Sequence, residues 1–254
     1  MTAVVGRVLG VICACAFALL APPVSATPPD QITKAEFSEP TTRYAHGVLG
    51  DNVEWGALEL TIDACFGCDS AVVETRLIRL PQTRVFEDLA PRIFRDEDGM
   101  TLVAVVESDA KLGARLSVYD QDGLYVATPF IGRANRWLAP IGAADFDGDG
   151  WVDLAYIDRP HLAKTLRVWR LDRHKGAPRL SEIASKSGLT NHRIGDGFIT
   201  SGLRDCGQGP EIITVDAAWQ NIMATRLSGN TLTSKAIALF NGPPSLNAHL
   251  ACDS

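Results

Sequence analysis

Apolar and polar positions alternate with a period of two through most of the chain, and short unbroken apolar runs interrupt that alternation at near-regular intervals. The unbroken runs are Leu102-Val-Ala-Val-Val106, Leu154-Ala-Tyr-Ile157 and Ile212-Ile-Thr-Val215, with a weaker one at Ala57-Leu-Glu-Leu60. An alternating segment follows each: Thr75–Leu80, Ala114–Tyr119, Thr165–Arg170 and Ile222–Leu227. Further strands are expected at Leu124–Ala127 and from Leu232 onward. The turns between them are polar: Asp120-Gln-Asp122-Gly123, Asp172-Arg-His-Lys-Gly176 and Ser228-Gly229-Asn230. Period-two alternation bounded by Gly and Asp predicts antiparallel β-structure. Little helix is expected. Leu180–Ser187 reads equally well as a short helical turn ended by Gly188 or as a polar loop between strands.

Each unbroken run follows a loop rich in Asp and Gly, and these loops repeat. The four repeat motifs lie near residues 49–60, 94–106, 145–157 and 203–215. Aligning Asp51, Asp96, Asp147 and Asp205 gives spacings of 45, 51 and 58 residues. Units of this length with three or four short strands fit propeller blades better than a sandwich, because a small sheet buries both faces only by stacking on its neighbours. The expected fold is all-β: a small β-propeller of antiparallel blades, four in number, with a degenerate fifth as the alternative and at most one short helical insertion. Thr27–Gly47 and Ala236–Ser254 are expected to close the ring side by side in a shared blade.

The best-preserved loop, Asp145-Phe-Asp147-Gly-Asp149-Gly-Trp151-Val-Asp153, carries carboxylates at its first, third, fifth and ninth positions. Oxygen donors at this density, without thiol or imidazole, suit Ca²⁺ better than zinc or copper. The expected ligands are the side chains of Asp145, Asp147, Asp149 and Asp153 and the backbone carbonyl of Trp151, with Gly148 and Gly150 letting the loop turn. The other three loops lack most of these carboxylates and are expected to be metal-free turns held by hydrogen bonds. One Ca²⁺ is therefore expected. The Asp-Phe-Asp-Gly-Asp-Gly-x-x-Asp-Leu pattern at 145–154, with its decayed copies, resembles the FG-GAP/VCBS repeats of integrin alpha-chain propellers and many bacterial exported proteins. That resemblance implies a Ca²⁺-holding loop between adjacent strands of a blade. Integrin-like propellers have seven blades, and this chain is too short for seven units of its own spacing.

The ends of the chain change the picture of where it works. Arg7, the apolar stretch Val8–Leu20, the Pro22-Pro23 break and Val24-Ser25-Ala26 read as a signal peptide cleaved after residue 26. A membrane anchor is the alternative, and the apolar stretch is short for a span. The expected product is a bacterial periplasmic or secreted protein consisting of one domain, residues 27–254. Cys13 and Cys15 leave with the leader, so Cys65, Cys68, Cys206 and Cys252 remain. Four cysteines in an oxidising compartment allow three disulfide connectivities, among them Cys65–Cys68 with Cys206–Cys252. Removing Arg7 changes 24 basic residues to 23 against 30 acidic ones, a mature formal charge of −7. That balance argues against a nucleic-acid partner.

Catalytic signatures are absent from the sequence. His46, His161, His174, His192 and His249 form no HxH or HExxH spacing, and there is no Gly-x-Ser-x-Gly elbow or Gly-rich phosphate loop. Trp169 is expected between blades, and Trp137 is the best candidate among the tryptophans for an exposed binding aromatic. The reading is an exported, calcium-stabilised, non-catalytic binding or structural module with a protein or glycan ligand. The alternatives are a polysaccharide hydrolase or lyase using carboxylates on one propeller face, and a purely structural component of the cell envelope.

Overall fold

The computed structural model describes residues 30–65, 67–172 and 177–252, together with residue 2. The expected leader, apart from residue 2, and the basic loop carrying His174 lie outside the described residues. Four consecutive groups of strands follow the four repeats. The first contains β1 (Gln31–Thr41), β2 (Glu54–Asp63) and β3 (Val73–Arg79). The second contains β4 (Arg84–Phe86), β5 (Arg92–Arg95), β6 (Thr101–Asp109), β7 (Gly113–Asp120) and β8 (Gly123–Ala127). The third contains β9 (Leu138–Ala144), β10 (Asp153–Asp158), β11 (Thr165–Asp172) and β12 (Arg179–Ser187). The fourth contains β13 (Leu189–Thr190), β14 (Gly202–Arg204), β15 (Glu211–Asp216), β16 (Asn221–Ser228) and β17 (Thr231–Leu239), followed by a single described helix, α1 (Pro243–Leu250).

All strand pairings are antiparallel, and the strands make three sheets. The first two groups share one sheet because β4 pairs with both β2, at Trp55↔Phe86, and β6, at Phe86↔Glu107. Each repeat loop occupies an equivalent place, joining the first long strand of its group to the central one: β1 to β2, β5 to β6, β9 to β10 and β14 to β15.

The unbroken apolar runs are the central strands, and they are apolar because both their faces are covered. On β10, Leu154 and Tyr156 enter the core shared with Leu102, Val106, Leu116 and Val118 of the preceding group. Ala155 and Ile157, pointing the other way, enter the core shared with Ile212, Leu227 and Leu232 of the next. On β6, Leu102, Ala104 and Val106 face one cluster while Val103 and Val105 face another with Leu58, Leu60 and Phe86. Side chains alternate across a strand, so a strand between two cores has no wet face. Each fully buried Leu or Ile here contributes about 1.5–3 kcal/mol relative to exposure.

Two expectations about the ends and one about the middle are corrected. Leu180–Ser187 is neither helix nor loop; it lies in β12, paired with β11 through a bulge between Glu182 and Ala184. The terminal segments do not share a blade: β1 pairs with β2, β17 pairs with β16, and among the described residues the sheets do not join into a closed ring. After β17 the chain turns at Gly242 into α1, whose Leu246 and Leu250 cover Ile213, Val215, Ile222 and Ala224. The helix thus covers the face of the last sheet that a further sheet would need.

Both disulfides pair as the local and the long-range option: Cys65 with Cys68, and Cys206 with Cys252. The second ties the end of α1 to the fourth repeat loop across 46 residues. In the chain-entropy limit a loop of that length is stabilised by about 4 kcal/mol. Cys206→Ser with Cys252→Ser is expected to lower the urea midpoint accordingly, whereas the Cys65/Cys68 pair, closing a far shorter loop, is expected to shift it less; equal shifts would contradict this assignment.

Candidate functional site

The Asp145–Asp153 loop is a tight turn whose first carboxylate organises its backbone. Asp145 Oδ1 accepts from the amides of Gly148 (2.8 Å) and Asp149 (3.1 Å), and Oδ2 accepts from Gly150 (2.9 Å). Gly148 and Gly150 have φ of 77° and 92°, the left-handed region that other residues enter with strain. Asp149 Oδ1 accepts from the Trp151 amide at 3.0 Å. One carboxylate oxygen each from Asp145, Asp147 and Asp149 lies within 4.8 Å of the others. Three of the expected ligands therefore converge, and an all-oxygen donor set of this kind fits a hard cation.

A further participant lies outside the loop and was not expected. Arg170, on β11 directly opposite Asp153 of β10, reaches across the loop. Its Nε donates to Asp153 Oδ1 at 2.9 Å, one Nη to Asp147 Oδ1 at 3.0 Å, and the other to Asp149 Oδ2. Asp153 is fully buried at the base of the site, and burial pushes its carboxyl up to about 6 despite the opposing pull of Arg170. Asp153 thus serves as the carboxylate of a cross-strand ion pair, while Asp145, Asp147 and Asp149 form the outer cluster. Four carboxylates against one guanidinium leave three formal negative charges uncompensated within the group.

The other repeat loops keep the turn without the cluster. Asp51 Oδ1 accepts from Val53, Asp96 Oδ1 from Asp98 and Met100, and Asp205 Oδ1 from Gly207 and Gly209. In the fourth, Glu211 replaces Asp153 and is gripped by Arg204 at 2.7 Å and Arg226 at 2.9 Å. Arg226 also donates to the Gln208 carbonyl at 2.5 Å, inside the loop.

A second polar concentration forms where the chain departs from its repeat. The strand flanking each central strand is broken on its way: by residues 87–91 between β4 and β5, by a one-residue bulge in β9, and by residues 191–201 between β13 and β14. Glu87 and His192, from the two long breaks, are fully buried or nearly so. His46 Nδ1 lies 2.5 Å from Glu87 Oε1, and Ser108 Oγ–H donates to the other carboxylate oxygen. Trp137 Nε1–H donates to the Glu87 carbonyl at 2.9 Å. His161 Nε2 and His192 Nδ1 lie 2.9 Å apart, and His192 Nε2 lies 2.8 Å from the Asp196 carbonyl.

This arrangement corrects the expectation for Trp137, which is 2 % exposed and offers no binding surface. Its indole is tethered to Glu87 and packed against His161 and His192. Trp169 does lie against the core between the second and third groups, its N–H on the Tyr156 hydroxyl at 3.0 Å. Glu54 is also buried here. Burial first, then the carboxylates of Glu87, Asp51 and Asp88, push its carboxyl up to about 9.

No protein-family model matches the sequence, and no curated protein matches it. The likeness to FG-GAP/VCBS repeats therefore stands on the loop residues themselves.

Two measurements follow. Arg170→Gln leaves buried Asp153 without its partner, so metal-free stability is expected to fall by about 3 kcal/mol, read as the urea midpoint in EDTA; an unchanged midpoint would show that solvent alone holds these carboxylates. Glu54 has a folded pKa above its unfolded value, so its contribution to stability is complete below about 4.5 and is lost as pH rises toward about 9. Glu54→Gln is expected to flatten the decline in melting temperature between pH 5 and 9, a comparison that a parallel decline in both proteins would decide against.

Proposed function

We propose that the chain is an exported, calcium-stabilised binding or structural module, its strand groups acting as the blades of a small propeller-like stack. The observation that carries this reading is the convergence of Asp145, Asp147 and Asp149 on one point with a single arginine among four carboxylates. Ca²⁺ bound there would relieve carboxylate repulsion and so favour the folded chain. Asp145, Asp147 and Asp149 would hold it, with Asp153 and the Trp151 carbonyl completing the set where Arg170 yields. Repeat loops at equivalent places in successive strand groups support the blade reading. The paired cysteines are compatible with a periplasmic or secreted location. Among the described residues no helix is long and apolar enough to cross a membrane.

A non-catalytic role is favoured over polysaccharide cleavage by where the acidic groups sit. Glu54 and Glu87, the carboxylates most perturbed by burial around the second cluster, are 2 % and 0 % exposed and cannot meet a polymer chain. Trp137 is buried with them, which removes the aromatic platform such a groove would use. The ligand of a binding module of this kind is a protein or a glycan, and a purely structural place in the envelope is the remaining form of the same reading.

The test is thermal unfolding of the mature chain with Ca²⁺ and with EDTA. Ca²⁺ at one hundred times its dissociation constant is expected to stabilise the wild type by about 2.7 kcal/mol, to leave Asp147→Ala nearly unmoved, and to restore part of what Arg170→Gln loses. A wild type indifferent to both Ca²⁺ and EDTA would overturn the calcium reading.

A further inference from the structure

We propose that His161 and His192 are the protein ligands of a second metal site, one that takes a borderline divalent ion of the Zn²⁺, Ni²⁺ or Cu²⁺ class. The site is separate from the Asp145–Asp153 loop and does not rest on the calcium reading. Its donors are imidazoles, which suit these ions, whereas the loop offers only oxygen.

The geometry of the two rings carries the argument. His161 Nε2 and His192 Nδ1 face each other at 2.9 Å. Two nitrogens on one tetrahedral ion, each about 2.0–2.1 Å from it, stand about 3.3 Å apart. The rings need to open by only a few tenths of an ångström to admit the ion between them. His192 turns its other nitrogen, Nε2, to the Asp196 carbonyl at 2.8 Å. An N–H donated there fixes the tautomer that leaves the Nδ1 lone pair directed at His161, the outer-sphere arrangement usual for metal-bound histidine. Trp137 holds both rings in place, its centroid 4.9 Å from His192 and 6.4 Å from His161.

A further observation points the same way. His161 also lines a small pocket of about 30 Å³ together with His46, Trp137 and Arg159. Such a space, which Arg136 also lines and His192 does not, has room for one or two water molecules beside His161 and for no organic substrate. On His46, Nδ1 is taken by the fully buried Glu87 carboxylate, so Nε2 is the nitrogen left for the pocket.

The test is calorimetric titration of the mature chain with Zn²⁺ in excess Ca²⁺, which keeps the aspartate loop occupied if it binds calcium. One equivalent of Zn²⁺ is expected to bind the wild type and Asp147→Ala alike, and His161→Ala is expected to weaken it by about tenfold or more. His161→Gln, which keeps a polar group in the half-buried position, is expected to behave as His161→Ala does, with circular dichroism confirming that both fold. The Cu²⁺-loaded wild type is expected to show imidazole nitrogen couplings by electron paramagnetic resonance, and His161→Gln to lose part of them. A wild type that takes up none of the three ions, or folded His161 variants that bind as the wild type does, would overturn the proposal and leave a plain imidazole–imidazole hydrogen bond.

Discussion

Two-sided burial of the central strands is the constraint on which the rest of this structure depends. β6, β10 and β15 each lie between two cores, and each sends alternate side chains to opposite ones. A strand in that position has no face left for water, so its sequence is predominantly apolar, and its polar exceptions, such as Thr214, Glu107 and Ser108, are buried as well. Nor can any one sheet stand alone, since half of each central strand's burial belongs to a neighbour. The stack must therefore end in a cover at its far side. Leu246 of α1, with the Cys206–Cys252 bond fastening the chain just beyond it, closes the last core where no further sheet arrives.

Because the central strands are fixed on both sides, the flanking strands are where the chain can vary. The breaks at residues 87–91 and 191–201 remove backbone from the ladder in the flanking strands of the second and fourth groups, and β9 of the third group between them carries a bulge. Of the freed residues, Glu87, Asp88, Asn191 and His192 turn inward, while Leu89, Ile194 and Phe198 stay exposed. Glu87 meets His46 and Ser108; His192 meets His161; Trp137 packs between the two pairs. Burying this many ionisable groups is unfavourable unless each has a partner. The partners here come from segments 21 to 41 residues apart in sequence.

What was legible in the sequence follows from the same physics. Leu154–Ile157 and Leu102–Val106 announced central strands because two-sided burial leaves an unbroken apolar record. The Asp145–Asp153 turn announced itself because its glycines and carboxylates are adjacent in the chain. Leu180–Ser187 was obscure because the bulge before Ala184 sends Leu180 and Ala184 to different cores, which destroys the period-two signature of a strand. The helix at Pro243–Leu250 carried one usable sign, prolines at its first two positions after Gly242. Its short length hid the rest. Trp137 and the histidines were beyond reach, since nothing local records which loops will meet, and Arg170 was hidden because strand register is not written in either strand alone.

Arg170 also shows which part of the loop recurs in the fourth group and which does not. Arg226 takes the corresponding place in the fourth group, bound to Glu211 as Arg170 is to Asp153, although that loop retains only Asp205 of the outer carboxylates. The cross-strand arginine–acid pair is thus independent of the cluster above it. It anchors the turn to the central strand, and the acid it neutralises is nearly or fully buried in both groups. Asp145, Asp147 and Asp149 are then an addition to a frame that is already neutralised at its base. A cation arriving among them meets three carboxylates whose repulsion only a fraction of one guanidinium offsets, and its contribution is to the outer loop rather than to the strand pair beneath. Because Arg170 bonds Asp147 and Asp149 as well as Asp153, the loop's stability and its affinity for metal are coupled through that one side chain.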